Sequence, residues 1–313
     1  ATQFNWTYDG TVPTITASAV NAANTKVTVT FSEAVYKASS GSGDLEVTDF
    51  VFSISGGTAT LASATPTAIA KTSQLIWVLD VDLSGTADGS ETLTVSPAST
   101  AIYDANGNAA STSQSNNTVT LNDFAVPTIT GTTVANDNST ISVTFSEAVY
   151  DTDGGNGALE AADFAVTIAA NGGAAGLSSA TPSGISSSGN VYTLTLATTG
   201  TATGAEVYTV VPVSTSIYDA VGNVASTSQS NNTVTLNDLT GPTMTITAGE
   251  GTDGFTSNDA TLSLTFTSSE TTTNFTADDI TVGGGSLGTL SGSGKVYTAT
   301  FTPSGSGATT IDV

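Results

Sequence analysis

Apolar and polar residues alternate along most of this chain, in short runs that are separated by turn residues. Clear examples are Lys26–Phe31, Thr140–Phe145 and Val296–Phe301, in which every second side chain is apolar. This period of two predicts strands with one buried face. Thr, Ser, Ala, Gly and Val dominate the composition, whereas residues typical of helices are scarce. The pattern therefore predicts an all-β protein.

One stretch near the end of this pattern occurs twice. Residues 217–245 repeat residues 102–130 almost letter for letter, and the spacing Asp-x-x-x-Pro begins at Asp9, at Asp123 and again at Asp238. A repeat at a fixed period marks module boundaries. We predict that residues 1–9 are the closing strand of a preceding module, residues 10–123 are module 1, residues 124–238 are module 2, and residues 239–313 are module 3, truncated before its last strand.

About seven short strands with turn signals between them are predicted in each complete module, which favours an immunoglobulin-like sandwich. The predicted fold class is therefore all-β, with tandem immunoglobulin-like β-sandwich domains arranged end to end. Trp6 and Trp77 lie in alternating runs and are predicted to be core residues. Module 3 is expected to be open along one edge, which a following segment or another copy of the chain would fill.

Charge excludes several classes of protein. The formal net charge is −23, with four lysines, no arginine and no histidine. Nucleic-acid binding is excluded and anionic membrane surfaces are disfavoured, because both need cationic side chains. No apolar run is long enough to span a bilayer, and cysteine is absent. The acidity has two interpretations. It serves solubility or adaptation to salt, or it supplies carboxylates that bind divalent cations.

The acids recur at fixed places in the repeat. Glu33 and Glu147 each end a strand at equivalent positions. On a sandwich of alternating strands, the end of the second strand, the start of the third and the loop before the last lie at the same pole as the linker. The predicted metal ligands are Asp9, Glu33, Asp49 and Asp104 in module 1, Asp123, Glu147, Asp163 and Asp219 in module 2, and Asp238, Glu270 and Asp279 in module 3.

Carboxylates that converge in this way repel one another by about 1–4 kcal/mol per pair at 4 Å, unless a cation lies among them. Hard oxygen donors without histidine or cysteine favour Ca²⁺. The alternative is that these acids are separate turn residues, and we prefer it for Asp88 in the Asp-Gly turn at the other pole. Turn chemistry gives no reason for a glutamate to end the same strand in each module, so we favour calcium for the repeated acids.

Three motifs resemble known repeats. Val-Thr-Phe-Ser-Glu-Ala-Val-Tyr (29–36 and 143–150), Asp-Phe, and Tyr-Asp-Ala-x-Gly-Asn resemble the bacterial immunoglobulin-like repeats of large secreted surface proteins and adhesins, and module 3 resembles another subtype of such repeats. The resemblance implies a stalk or filament segment of a secreted, cell-surface adhesin, rigidified by calcium at its junctions. Its partners would be neighbouring modules or copies of the same protein and a surface receptor, which the sequence does not identify.

Two other functions are compared with the stalk. A sandwich that binds a glycan, a protein or ice is the alternative, and an exposed cluster of tryptophan or tyrosine would favour it. An enzyme is not expected, because the acids recur with the modules whereas a catalytic pair is normally single. No histidine or cysteine is present for a triad or a thiol nucleophile.

Overall fold

The computed structural model describes residues 2–313. Within this range, helical residues are confined to three short 3-10 turns, Val47–Asp49, Ala161–Asp163 and Ala277–Asp279. None of the described helical segments has the length and apolarity that crossing a membrane requires. The remaining regular structure consists of strands, so the predicted all-β class is confirmed.

Two compact units make up the chain. Unit 1 consists of Ala1–Ile168, Leu177–Ala197 and Tyr208–Val234, and unit 2 consists of Ala169–Gly176, Thr198–Val207 and Thr235–Val313. Module 1 lies in unit 1 and module 3 in unit 2, while residues 124–238 contribute to both. The predicted module boundaries and the end-to-end arrangement stay predictions.

Module 1 contains nine strands. They are β1 (Ile15–Val20), β2 (Lys26–Phe31), β3 (Phe50–Ser55), β4 (Thr60–Leu61), β5 (Ile69–Lys71), β6 (Ile76–Asp80), β7 (Leu83–Ser84), β8 (Thr92–Pro97) and β9 (Thr118–Thr120). They form a four-stranded sheet in the order β1-β2-β6-β5, a three-stranded sheet β3-β8-β9 and the short pair β4-β7. The two larger sheets are antiparallel.

The core of module 1 lies between these two sheets. The alternating residues Val27, Val29 and Phe31 of β2 are buried, as the period of two predicts. They pack in one cluster with Trp77 from the same sheet and Phe50 from the other. This confirms a β-sandwich, and it confirms Trp77 as a core residue.

Module 2 repeats the strand order of module 1. Its strands are β10 (Ile129–Val134), β11 (Thr140–Phe145), β12 (Phe164–Ala169), β13 (Gly176–Leu177), β14 (Gly184–Ser188), β15 (Val191–Thr195), β16 (Thr198–Thr199), β17 (Val207–Pro212) and β18 (Thr233–Thr235). The sheets are β10-β11-β15-β14, β12-β17-β18 and β13-β16. Phe145 packs against Phe164 and Tyr192, with ring centroids 6.2 and 5.8 Å away.

Module 3 is a more distant copy. Its strands are β19 (Met244–Ala248), β20 (Leu262–Thr272), β21 (Thr281–Gly283), β22 (Gly285–Leu287), β23 (Ser291–Pro303) and β24 (Thr310–Asp312). They form the sheet β19-β20-β23-β22 and the pair β21-β24. The strand predicted to end before Glu270 continues through it, because β20 pairs with β23 over Leu262–Thr267 and again, after a shift of register, at Thr272.

The N-terminal segment differs from the prediction. Residues 2–14 form no strand, and the side chains of Phe4, Trp6 and Tyr8 are 87%, 72% and 77% exposed. Trp6, which the alternating pattern predicts as a core residue, is exposed in this chain because no described strand pairs with this segment to cover one of its faces. Ala1 lies outside the described residues. Whether the segment closes a preceding module stays a prediction.

Candidate metal sites at the module junctions

Three of the four acids predicted for module 1 come together. Asp9 precedes β1, Glu33 follows β2, and Asp104 lies in the loop before β9. Each offers a carboxylate oxygen, and these oxygens all lie within 4.8 Å of one another. We call these residues junction site 1. Asp104 is fully buried, whereas the other two are half-buried.

The Asp104 carboxylate is held rigidly by its own loop. Its Oδ1 accepts the backbone N–H groups of Asn106 and Asn108 at 2.8 Å each, and its Oδ2 accepts the Asn108 side-chain amide at 2.7 Å. Burial alone would raise the pKa of Asp104, but these hydrogen bonds outweigh it and lower the pKa. Asp104 is therefore an ionised, preorganised oxygen donor.

The same loop contacts the linker that begins module 1. The Asn106 amide donates to Asp9 Oδ2 at 2.7 Å, and the Asn108 amide donates to the Asp9 carbonyl oxygen at 3.2 Å. Glu33 completes the site, and its pKa is raised by burial and then by the charges of Asp104 and Asp9. Three like charges are thus concentrated at the start of β1.

Junction site 2 has the same construction and consists of Asp123, Glu147 and Asp219, whose carboxylate oxygens also lie within 4.8 Å of one another. Asp219 is buried, and its Oδ1 accepts the N–H groups of Val221, Gly222 and Asn223 at 2.7–2.9 Å. The pKa of Glu147 is raised to about 7, first by burial and then by the charges of Asp123, Asp219 and Asp88.

Asp88 is a member of this region that the sequence analysis assigned to a simple turn. Its backbone bridges that of Asp123, and its charge raises the pKa of Asp123, although burial contributes more. The Asp88 carboxylate also accepts the N–H of Ser90 at 3.0 Å, as a turn residue does. Asp88 lies at the far pole of module 1, which is also the end of the module where Asp123 begins module 2. This shared position is the signal that could have identified Asp88.

Asp49, Asp163 and Asp279 do not join these groups. Each lies at the end of a 3-10 turn and accepts the N–H of the residue three positions earlier: Glu46 at 2.7 Å, Glu160 at 2.6 Å and Thr276 at 2.8 Å. Their recurrence is explained by this local capping, in which a side chain accepts an otherwise unpaired backbone donor.

The acids of module 3 form a smaller group. The Thr240 hydroxyl donates to Asp238 Oδ1 at 2.7 Å and to Glu270 Oε1 at 3.3 Å, so both carboxylates lie beside the start of the module. Hydrogen bonds from Thr240 lower the pKa of Asp238. In residues 2–313, groups of three close acids occur only at junction sites 1 and 2.

The donor sets of junction sites 1 and 2 suit a hard cation. Each consists of three carboxylates, and the chain has no histidine or cysteine to favour zinc or copper. The pKa values of Glu33 and Glu147 are raised chiefly by burial and further by the charges of the neighbouring carboxylates. Ca²⁺ accepts six to eight oxygen ligands in flexible geometry, so the residues present fit it.

Comparison with known proteins gives a family for one part of the chain. Among solved structures, the chain is similar to invasin, described as a bacterial integrin-binding protein, at 17% identity and a TM-score of 0.27, over 96% of this chain and 56% of that one. This chain therefore spans about half the length of that protein. No curated protein matches the sequence. Residues 238–313 match the family described as Bacterial Ig-like domain, which confirms the predicted resemblance for this part of the chain.

Proposed function

We propose that this chain is a tandem-module segment of the stalk of a bacterial surface adhesin, acting outside the cell, in which Ca²⁺ at the module junctions fixes each linker to the module that follows. One observation carries the proposal: the same three-carboxylate group occurs at equivalent positions twice, and each group includes the aspartate of the linker. Repetition at junctions is expected of a structural ion and not of a single catalytic centre.

The residues of junction site 2 indicate how calcium would hold the linker to module 2. Asp123 follows the last strand of module 1, whereas Glu147 and Asp219 belong to module 2. A calcium ion held by these three carboxylates would neutralise charges that otherwise repel. The linker would then be held by the ion as well as by the hydrogen bond between the Asn223 amide and the Asp123 carbonyl oxygen, which spans 3.4 Å.

Calcium titration calorimetry tests the proposal. We expect ions to bind at junction sites 1 and 2, with dissociation constants on the order of 10⁻⁴–10⁻³ M, as in extracellular modules. Glu33→Gln should remove binding at site 1 only, and Glu147→Gln should remove binding at site 2 only. Asp278→Asn changes an exposed acid outside both sites and serves as the control. Equal binding by wild type and both glutamine variants would overturn the proposal.

A ligand-binding surface is the second candidate, because Phe4, Trp6 and Tyr8 are exposed together. The Trp6 and Tyr8 rings pack edge to face with centroids 6.3 Å apart. Exposed tryptophan and tyrosine are enriched at binding surfaces. Oligosaccharide titration followed by tryptophan fluorescence tests this candidate. Binding should change the Trp6 signal and Trp6→Ala should abolish the change, while the buried Trp77 stays constant; a response that survives in Trp6→Ala would refute it.

A further inference from the structure

The linker that carries Asp123 is attached to module 1 by one loop, residues 87–91. The Ala87 carbonyl oxygen accepts the N–H of Phe124 at 2.9 Å. The backbones of Asp88 and Asp123 form an antiparallel bridge. Because Asp123 is a member of junction site 2, this loop fixes one of the three carboxylates of that site from the side of module 1.

The loop is held in turn by the side chain of Glu91, which is fully buried. Its Oε2 accepts the N–H of Asp88 at 3.1 Å, and Asp88 is the residue whose backbone bridges Asp123. Its Oε1 accepts the N–H groups of Thr58 and Ala59, just before β4, at 2.9 and 2.8 Å. A buried carboxylate is stable only when donors surround it, so the loop and the carboxylate hold each other in place.

Module 2 repeats this arrangement around Glu206. The carboxylate accepts the N–H of Thr203 at 2.9 Å, and the backbone of Thr203 bridges that of Asp238. The Ala202 carbonyl oxygen accepts the N–H of Leu239 at 2.9 Å. Asp238 does not belong to junction site 1 or 2. Module 2 therefore provides the same construction at a linker without the group of three carboxylates.

We propose that Glu91 is a positioning residue for junction site 2, whose buried carboxylate holds the 87–91 loop in the conformation that presents Asp123 to the ion. This inference rests on the proposed function, because it concerns the calcium that junction site 2 would bind. The affinity of a metal site depends on the groups that orient its ligands as well as on the ligands. The coupling is reciprocal, so calcium at junction site 2 also stabilises the loop of module 1.

Amide hydrogen exchange of the unaltered protein, followed by NMR with calcium and with chelator, tests this coupling. We expect calcium to slow exchange of the Asp88 and Ala59 N–H groups, which Glu91 accepts, because opening of the loop would then release the ion. The corresponding N–H groups of module 2, those of Thr203 and Ala175, should exchange at the same rate in both conditions. Unchanged rates at Asp88 and Ala59 in a protein that binds calcium at junction site 2 would overturn the inference.

Glu91→Gln tests the positioning role by calcium affinity. The amide keeps one oxygen for the N–H of Ala59 but loses the acceptor for the N–H of Asp88. In the Glu33→Gln background, which removes the proposed ion of junction site 1, we expect Glu91→Gln to weaken calcium binding roughly 10-fold in titration calorimetry. Glu206→Gln is the matched control, because it makes the same change at the other linker, and it should leave the dissociation constant unchanged.

The outcomes separate this inference from the proposed function. If the Glu33→Gln protein binds no calcium that Glu147→Gln removes, the proposed function fails at junction site 2, and the inference fails with it. If it binds calcium and Glu91→Gln, folded by circular dichroism, binds equally tightly, the inference alone fails. A loss of affinity that Glu206→Gln shares would also overturn it, because the effect would then belong to stability in general. The exchange rates of the unaltered protein decide the case in which Glu91→Gln does not fold.

Discussion

Among the acids of junction sites 1 and 2, Glu147 has the most strongly shifted pKa. Its pKa is raised to about 7 because it is partly buried and faces Asp123, Asp219 and Asp88. We expect Glu147→Gln to raise the melting temperature of the calcium-free protein, since one of the repelling charges is removed. The same variant should lose the part of the calcium-induced rise in melting temperature that belongs to junction site 2.

Glu33→Gln is the matched variant, because Glu33 has the same position in module 1. Differential scanning calorimetry with calcium and with chelator distinguishes the two. A lower melting temperature of Glu147→Gln without calcium would contradict the repulsion on which the account depends.

The raised pKa of Glu147 also predicts a pH dependence. Between its ordinary value of 4.5 and about 7, the folded state binds this proton more tightly than the unfolded state, so the free energy of unfolding falls as the pH rises through that window. Calcium displaces the proton, so the calcium-induced gain in stability should increase over the same window. Melting curves at several pH values with and without calcium check this, and Glu147→Gln should flatten both trends. A gain that is largest at acidic pH would contradict it.

At the scale of single elements, one buried glutamate precedes strand β8 in module 1 and strand β17 in module 2. The pattern of the sequence does not identify it. Glu206 is fully buried, and its carboxylate accepts the N–H groups of Ala175 and Thr203 at 2.9 Å each. Burial would raise its pKa, but these hydrogen bonds lower it to about 2. Glu91 is the equivalent residue in module 1, where its carboxylate accepts the N–H groups of Ala59 at 2.8 Å and Asp88 at 3.1 Å.

We expect Glu206→Ala to destabilise the protein by about 1–3 kcal/mol for each buried N–H that loses its partner. Gly173→Ala should also be destabilising, because a Cβ there would collide with the Glu206 carboxylate. The contribution of Glu206 is complete above pH 4.5 and is lost as the pH falls towards about 2. Urea unfolding measures the loss, with the exposed Asp278→Ala as control. An unchanged midpoint for Glu206→Ala would refute the role of the carboxylate.

Elements with a clear alternating pattern could be predicted from the sequence, and elements defined by distant partners could not. The strands β2 and β11 follow from apolar residues at every second position, which form one buried face. The sequence does not predict the short edge strand β5, because its residues 69–71 carry no such pattern. Trp6 was assigned to a core because alternation shows that a face is apolar but does not show what covers it.

The candidate sites show the same division. Glu33 and Glu147 could be found because they recur after an alternating strand, and Asp104 and Asp219 because their motif repeats. Asp49 recurs equally well, but its carboxylate caps a 3-10 turn. Recurrence therefore identifies a constraint, while the distinction between a ligand and a cap depends on where the side chain lies.

At the scale of the whole molecule, we expect calcium to stabilise some linkers of the chain and not others. An ion at ten times its dissociation constant adds roughly 1.4 kcal/mol for each site that binds only the folded state. We expect the gain at junction sites 1 and 2, which both contain linker residues, and no gain at the linker of module 3. There only Asp238 and Glu270 come together, through Thr240.

Limited chymotrypsin digestion tests the central claim most directly, because it reports on each linker separately. Phe124 follows Asp123 and is 44% exposed, while Leu239 follows Asp238 and is 47% exposed, so each linker offers a comparably exposed cleavage site whose rate is compared with itself, with and without calcium. We predict that calcium slows cleavage after Phe124 in the wild type and not in Glu147→Gln, while cleavage after Leu239 changes little in either protein. Cleavage after Phe124 at the same rate with calcium and with chelator would contradict a calcium-fixed junction.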